Sequence, residues 1–136
     1  MHFLLFVISY PIIWILSRLP MPILYLLSDA LYFLIYTVFG YRKQVVLENL
    51  KLVFPEKTAI ERKKIAKQFF THFTDLFVES IKAFSISKKE ISKRYVYKNP
   101  ELVNEYYKKQ RSVALVGAHQ ANWEWSISLP LVLDTP

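Results

Sequence analysis

Val113-Ala114-Leu115-Val116-Gly117-Ala118-His119-Gln120-Ala121-Asn122-Trp123-Glu124-Trp125 is the stretch whose reading decides the fold. Val113 to Val116 is a short apolar run of the kind a buried strand shows. Gly117 and Ala118 then turn the backbone without side-chain bulk. His119 falls in that turn. Asn122 is placed as a helix N-cap, and Trp123-Glu124-Trp125 forms the first helical turn, where Glu124 complements the macrodipole. One imidazole and one carboxylate are therefore expected at the C-terminal mouth of a strand, where open α/β sheets place their ligands.

In a continuous helix, residues at the separation of His119 and Glu124 would point roughly 140° apart. They meet only if His119 sits in the loop and Glu124 in the first turn. A neutral imidazole accepts a proton near neutral pH. A carboxylate on its far nitrogen fixes the tautomer and stabilises the imidazolium. Such a pair takes the proton from an alcohol as it attacks an acyl group. From the spacing alone, a loop histidine bonded to backbone, with Glu124 serving only the helix dipole, is the simpler account.

Around this stretch the chain divides by charge. Its 136 residues allow one domain, and 53% are hydrophobic, above the usual soluble share. Residues 1–40 carry only Arg18 and Asp29, so the net charge of +7 lies wholly in residues 41–136. An apolar head on a basic body suggests a membrane protein facing anionic headgroups. Nucleic acid would explain the basicity but not the head, and is not expected as a partner. There is no cysteine, hence no disulfide framework and no thiolate metal site.

Phe3 to Leu16 is free of charge but short of the roughly 20 residues a bilayer core needs. Leu19-Pro20-Met21-Pro22 breaks it. A second apolar run, Ile23 to Phe39, carries only Asp29. The pair reads as a membrane-inserted segment followed by a helix at the interface, with a membrane hairpin as the runner-up. Buried core helices of a soluble protein are the bland account. No basic leader or cleavage pattern marks a removed signal peptide, so a retained anchor is expected. Arg42, Lys43 and the basic body place the rest in the cytoplasm.

Tyr41 to Phe54 is an amphipathic helix ended by Pro55. Thr58-Ala59-Ile60-Glu61 is a capping box opening a helix to about Phe84. Ile65, Phe69, Phe73, Leu76, Phe77, Ser80 and Phe84 recur on it at threes and fours, a stripe read as core rather than as an acyl-chain groove. Ser87 caps a short helix, Tyr95-Val96-Tyr97 is an edge strand, and Asn99 caps a helix from Pro100 to Gln110. With the strand Ser112–Val116 and the helix after it, the order is that of an α/β sheet. His72, with Asp75 three residues on, is a surface or partly buried histidine rather than a metal half-site. Ser112, Ser126 and Ser128 lack the Gly-x-Ser-x-Gly elbow of a hydrolase.

Gly117-Ala118-His119-Gln120-Ala121-Asn122-Trp123-Glu124-Trp125 resembles the His-x4-Asp/Glu block of the bacterial lipid A biosynthesis (lauroyl/myristoyl) acyltransferases. Tyr41-Arg42-Lys43-Gln44-Val45-Val46-Leu47-Glu48-Asn49-Leu50 and Phe54-Pro55-Glu56 resemble that family's segment after its membrane anchor. The resemblance implies His119 as general base and Glu124 as its orienting partner, and reverses the bland account above. It implies an acyl carrier protein as acyl donor and a lipid A precursor as acceptor. It also implies an active site on the cytoplasmic side of the bacterial inner membrane, against anionic lipids, with no metal or cofactor. The expected fold is α/β. Membrane-anchoring and interfacial helices over 1–39 precede 40–136, the N-terminal part of a lysophospholipid-acyltransferase-like domain with the first strands of its sheet. Family members are longer, so the sheet is expected to be truncated. The alternatives are an acyltransferase for another lipid and a non-catalytic membrane fragment.

Overall fold

The computed structural model describes residues 2–118 and 120–134. They form α1 (His2–Arg18), α2 (Met21–Tyr32), a π-helical turn (Phe33–Val38), α3 (Lys43–Val53), α4 (Ala59–Lys82), α5 (Lys88–Arg94), α6 (Glu101–Lys108) and a 3-10 helix (Trp123–Leu131).

The element boundaries follow local chemistry. Pro20 is extended, at φ −65° and ψ 150°, and separates α1 from α2, where Pro22 lies at the start of the new helix and its missing N–H costs nothing. Gly40, at φ +60°, makes the turn into α3, a conformation that suits glycine. Thr58 and Glu61 form the expected capping box at the head of α4, and the Ser87 side chain accepts from the Glu90 amide at the head of α5. Asn99 departs from its expected capping role. It lies at φ 57°, which asparagine tolerates, and α6 begins after Pro100 with no side-chain cap.

α2 lies along α4 and their polar residues pair. Ser28 Oγ donates to Asp75 Oδ1 at 2.7 Å, and Tyr25 Oη donates to Glu79 Oε1 at 2.7 Å. The lower residue on α2 meets the higher on α4, so the helices run antiparallel. The buried row of α4 is Ala66, Phe70, Thr74, Val78 and Lys82. At its C-terminal end Met21, Leu24, Val78, Ile91 and Trp125 form one core, with Tyr25, Ile86 and Tyr95 packed around it. Lys82 is buried, and its Nζ donates to the carbonyls of Ser17 at 3.0 Å and Leu19 at 2.9 Å. It thus holds the C-terminal end of α1, where a cation is favoured.

The aromatic stripe of α4 is not the core. Phe69, Phe73 and Phe77 are 47%, 43% and 58% exposed. They sit one residue ahead of Phe70, Thr74 and Val78, the buried row, which faces α2 and, at Phe70, Tyr36 of the π-helical turn. The apolar face of α4 is wider than one neighbour.

The expected α/β fold is overturned: among the described residues there is no strand and no sheet. Residues 112–118 have no regular secondary structure and are exposed, with Val116 at 96%. Residues 95–97 likewise form no ladder, although Tyr95 is extended at φ −121° and ψ 102°. A strand exists only through a neighbour about 4.8 Å away that satisfies its backbone. A single run with one short candidate partner falls below the three strands a stable sheet needs. The residues after Asn122 form a 3-10 helix containing Pro130 in place of the expected α-helix.

Met21–Val38 is an 18-residue helical window of mean hydropathy 1.6 with 22% of its residues buried, long and apolar enough to cross a bilayer. The length criterion is thus met by the second apolar run rather than the first. Phe3, Leu5, Phe6, Tyr10, Ile12 and Ile15 of α1 are exposed.

Candidate functional site

The block singled out in the sequence is carried on α4. Ala121, Asn122, Trp123 and Glu124 face Phe73, Leu76, Phe77 and Ser80 across an open groove of about 210 Å³. One wall is thus the exposed aromatic row and the other is the block. Glu124 lies in the first turn of the 3-10 helix with its side chain exposed. His119 lies outside the described residues. Its expected bond to Glu124 therefore remains an expectation from sequence.

Asn122 does not cap the helix it precedes: its side chain makes no cap hydrogen bond. Its Nδ2 instead donates to Glu79 Oε2 at 2.5 Å. The backbone carbonyl of Glu79 accepts from Trp125 Nε1 at 3.3 Å. Trp125 is buried, as expected of a packing residue, while Trp123 is 44% exposed and lines the groove. Ala121 has φ 53°, a left-handed conformation that costs a non-glycine residue about 1–2 kcal/mol. It marks the sharp turn that sends the chain from the loop onto α4. Gly117 does not act in that way: a Cβ there would meet nothing within 4 Å.

The far side of the block is held by Tyr97. Its Oη donates to the Ser126 carbonyl at 2.9 Å and lies 3.2 Å from Ser128 Oγ. Burial pushes its phenol above the ordinary tyrosine value, partly offset by the Ser128 bond. Ser128 is buried and bonded to the Trp125 carbonyl, so it is structural. His72 is exposed on α4.

Glu79 and Tyr25 were not singled out in the sequence. A signal existed: Tyr25 and Ser28 stand three apart in an apolar helix, and Asp75 and Glu79 stand four apart on the next long one. Polar pairs at helical spacing in apolar surroundings require partners.

The sequence pattern of the bacterial lipid A biosynthesis acyltransferases matches residues 2–130. The chain belongs to that family. It is similar to the lipid A biosynthesis lauroyltransferase of Escherichia coli (strain K12), at 27% identity over 108 residues, which is 79% of this chain and 35% of that protein. The chain thus spans about a third of the length of the curated relative it matches. No solved structure matches it significantly.

Proposed function

We propose that this chain supplies the membrane-facing frame and the proton-transfer block of a lipid A acyltransferase. Residues 1–39 serve as anchor and interfacial helices, and 40–136 as the first part of the acyltransferase domain. The acyl donor is a thioester on acyl carrier protein, and the acceptor is a hydroxyl of a lipid A precursor. The observation that carries the reading is the exposed Glu124 beside a groove walled by Phe73, Leu76 and Phe77, in a chain of this family.

His119 takes the proton from the acceptor hydroxyl as its oxygen attacks the thioester carbonyl. Glu124 orients the ring and stabilises the imidazolium. The C–O bond forms, the C–S bond breaks, and the imidazolium returns the proton to the departing thiolate. Met21–Val38 and the exposed face of α1 suit a bilayer. The +7 of residues 41–136 suits the cytoplasmic leaflet of the inner membrane, a phosphorylated acceptor and an acidic carrier.

The test is acyl transfer by the full-length protein in membranes, with acyl-carrier thioester and a panel of lipid acceptors. Glu124→Ala is expected to lose about 100-fold or more in kcat, within the range of acid–base contributions. Near-full turnover by that variant, or transfer confined to glycerophospholipid acceptors, would overturn the reading.

A further inference from the structure

Glu79 belongs to α4, far in sequence from the block, yet it fastens the block to the frame. Its carboxylate lies between two donors from different elements, Tyr25 Oη of α2 on Oε1 and Asn122 Nδ2 of the block on Oε2. Its main-chain oxygen receives the indole N–H of Trp125, three residues beyond Asn122. We propose that Glu79 is a positioning residue: held by Tyr25, its carboxylate sets the amide of Asn122, and thereby the turn that joins His119 to Glu124. This rests on the catalytic reading above and adds a residue to it.

Three observations converge. Asn122 Oδ1 is buried with no partner among the described residues, so the Glu79 bond is the one that fixes the amide there. The 3-10 helix has no side-chain cap of its own, which leaves its first turn dependent on outside ties. Ala121 is held left-handed immediately before Asn122, and such a residue keeps that conformation only when its surroundings impose it. A charged acceptor makes the stronger hydrogen bond. α4, 24 residues long with a capping box at its head, is a rigid base for it. A one-ångström drift of a catalytic pair costs far more rate than affinity, so the effect of Glu79 falls on kcat.

The test is a double-mutant cycle in the full-length protein, read as acyl transfer from carrier thioester to lipid acceptor. Asn122→Asp sets two carboxylates against each other and is expected to lower kcat about tenfold or more with KM within about threefold. Adding Glu79→Gln gives the introduced carboxylate an amide donor, and most of the loss is expected to return. A double variant no better than Asn122→Asp alone, or simple additivity, overturns the proposal. Glu124→Gln in the same assay separates the two claims. If it keeps full turnover, the catalytic reading falls. If it loses turnover while the cycle is additive, the role of Glu79 falls alone. Backbone amide exchange in Glu79→Ala gives a readout without activity. Residues 120–126 are expected to exchange about tenfold faster or more, with α1 and the first turns of α4 unchanged. Unchanged exchange at 120–126 overturns the proposal.

Discussion

Replacing Lys82 by methionine tests how α1 is attached. Lys82 is 7% exposed and its ammonium donates to the Ser17 and Leu19 carbonyls. Methionine keeps most of the aliphatic stem and removes both bonds. The Ser17 carbonyl retains the Ser85 hydroxyl, whereas the Leu19 carbonyl loses the donor that Lys82 gave it. Leaving a buried acceptor unpaired costs about 1–3 kcal/mol. Losing a cation from a partly buried helix C-terminus adds about 1 kcal/mol, and relief from desolvating the ammonium offsets part of the total. The net expectation is about 2–3 kcal/mol of destabilisation. Urea unfolding in a mild detergent, followed by tryptophan fluorescence, reads it as a lower midpoint at constant slope. Lys82→Arg, which keeps donors and charge, should lose less. A Lys82→Met change within about 0.5 kcal/mol of zero would refute the reasoning, since surface substitutions produce no more than that.

Phe70→Ala should cost about 3–5 kcal/mol, because Phe70 is 2% exposed in the buried row of α4, with the Tyr36 ring packed on it. Phe77→Ala, on the open groove wall at 58% exposure, should cost about 1 kcal/mol or less, and matched unfolding curves compare the two. Leu24→Ala removes a fully buried side chain from the core beside Trp125 and should cost about 2–5 kcal/mol. The Glu61 carboxyl is held below its usual value, chiefly by the Thr58 amide and then the Thr58 hydroxyl. A carboxyl whose folded pKa is depressed stabilises fully above its unfolded pKa, and that contribution disappears as pH falls through the folded value. Helicity measured against pH should therefore separate wild type from Glu61→Gln at neutral pH and bring them together in acid.

What could be read from sequence was what neighbouring residues decide. Pro20 and Pro22 fixed the break between the apolar helices, and Thr58 with Glu61 and Ser87 with Glu90 fixed two helix starts. Each is a bond or clash within a few residues. What was not legible depends on distant partners. Phe69 and Phe70 are both aromatic and adjacent, and only the arrival of Tyr36 from the turn after α2 decides which is covered. Val113 to Val116 has the composition of a buried strand, but composition does not supply the neighbouring strand that would make it one. Asn122 has the chemistry of an N-cap, yet its amide is taken by Glu79 from a helix far back in the chain. Glu124 was singled out because it falls in the block that resembles the family's, and the structure places it exposed on the groove.

The most direct measurement is the turnover number of His119→Ala in the full-length protein, with acyl-carrier thioester and lipid A precursor both saturating. Loss of a general base predicts a fall of about 100- to 10,000-fold in kcat, with substrate affinities nearly unchanged. Turnover within a few-fold of wild type would mean that another group removes the hydroxyl proton, and the assignment of this block would be wrong.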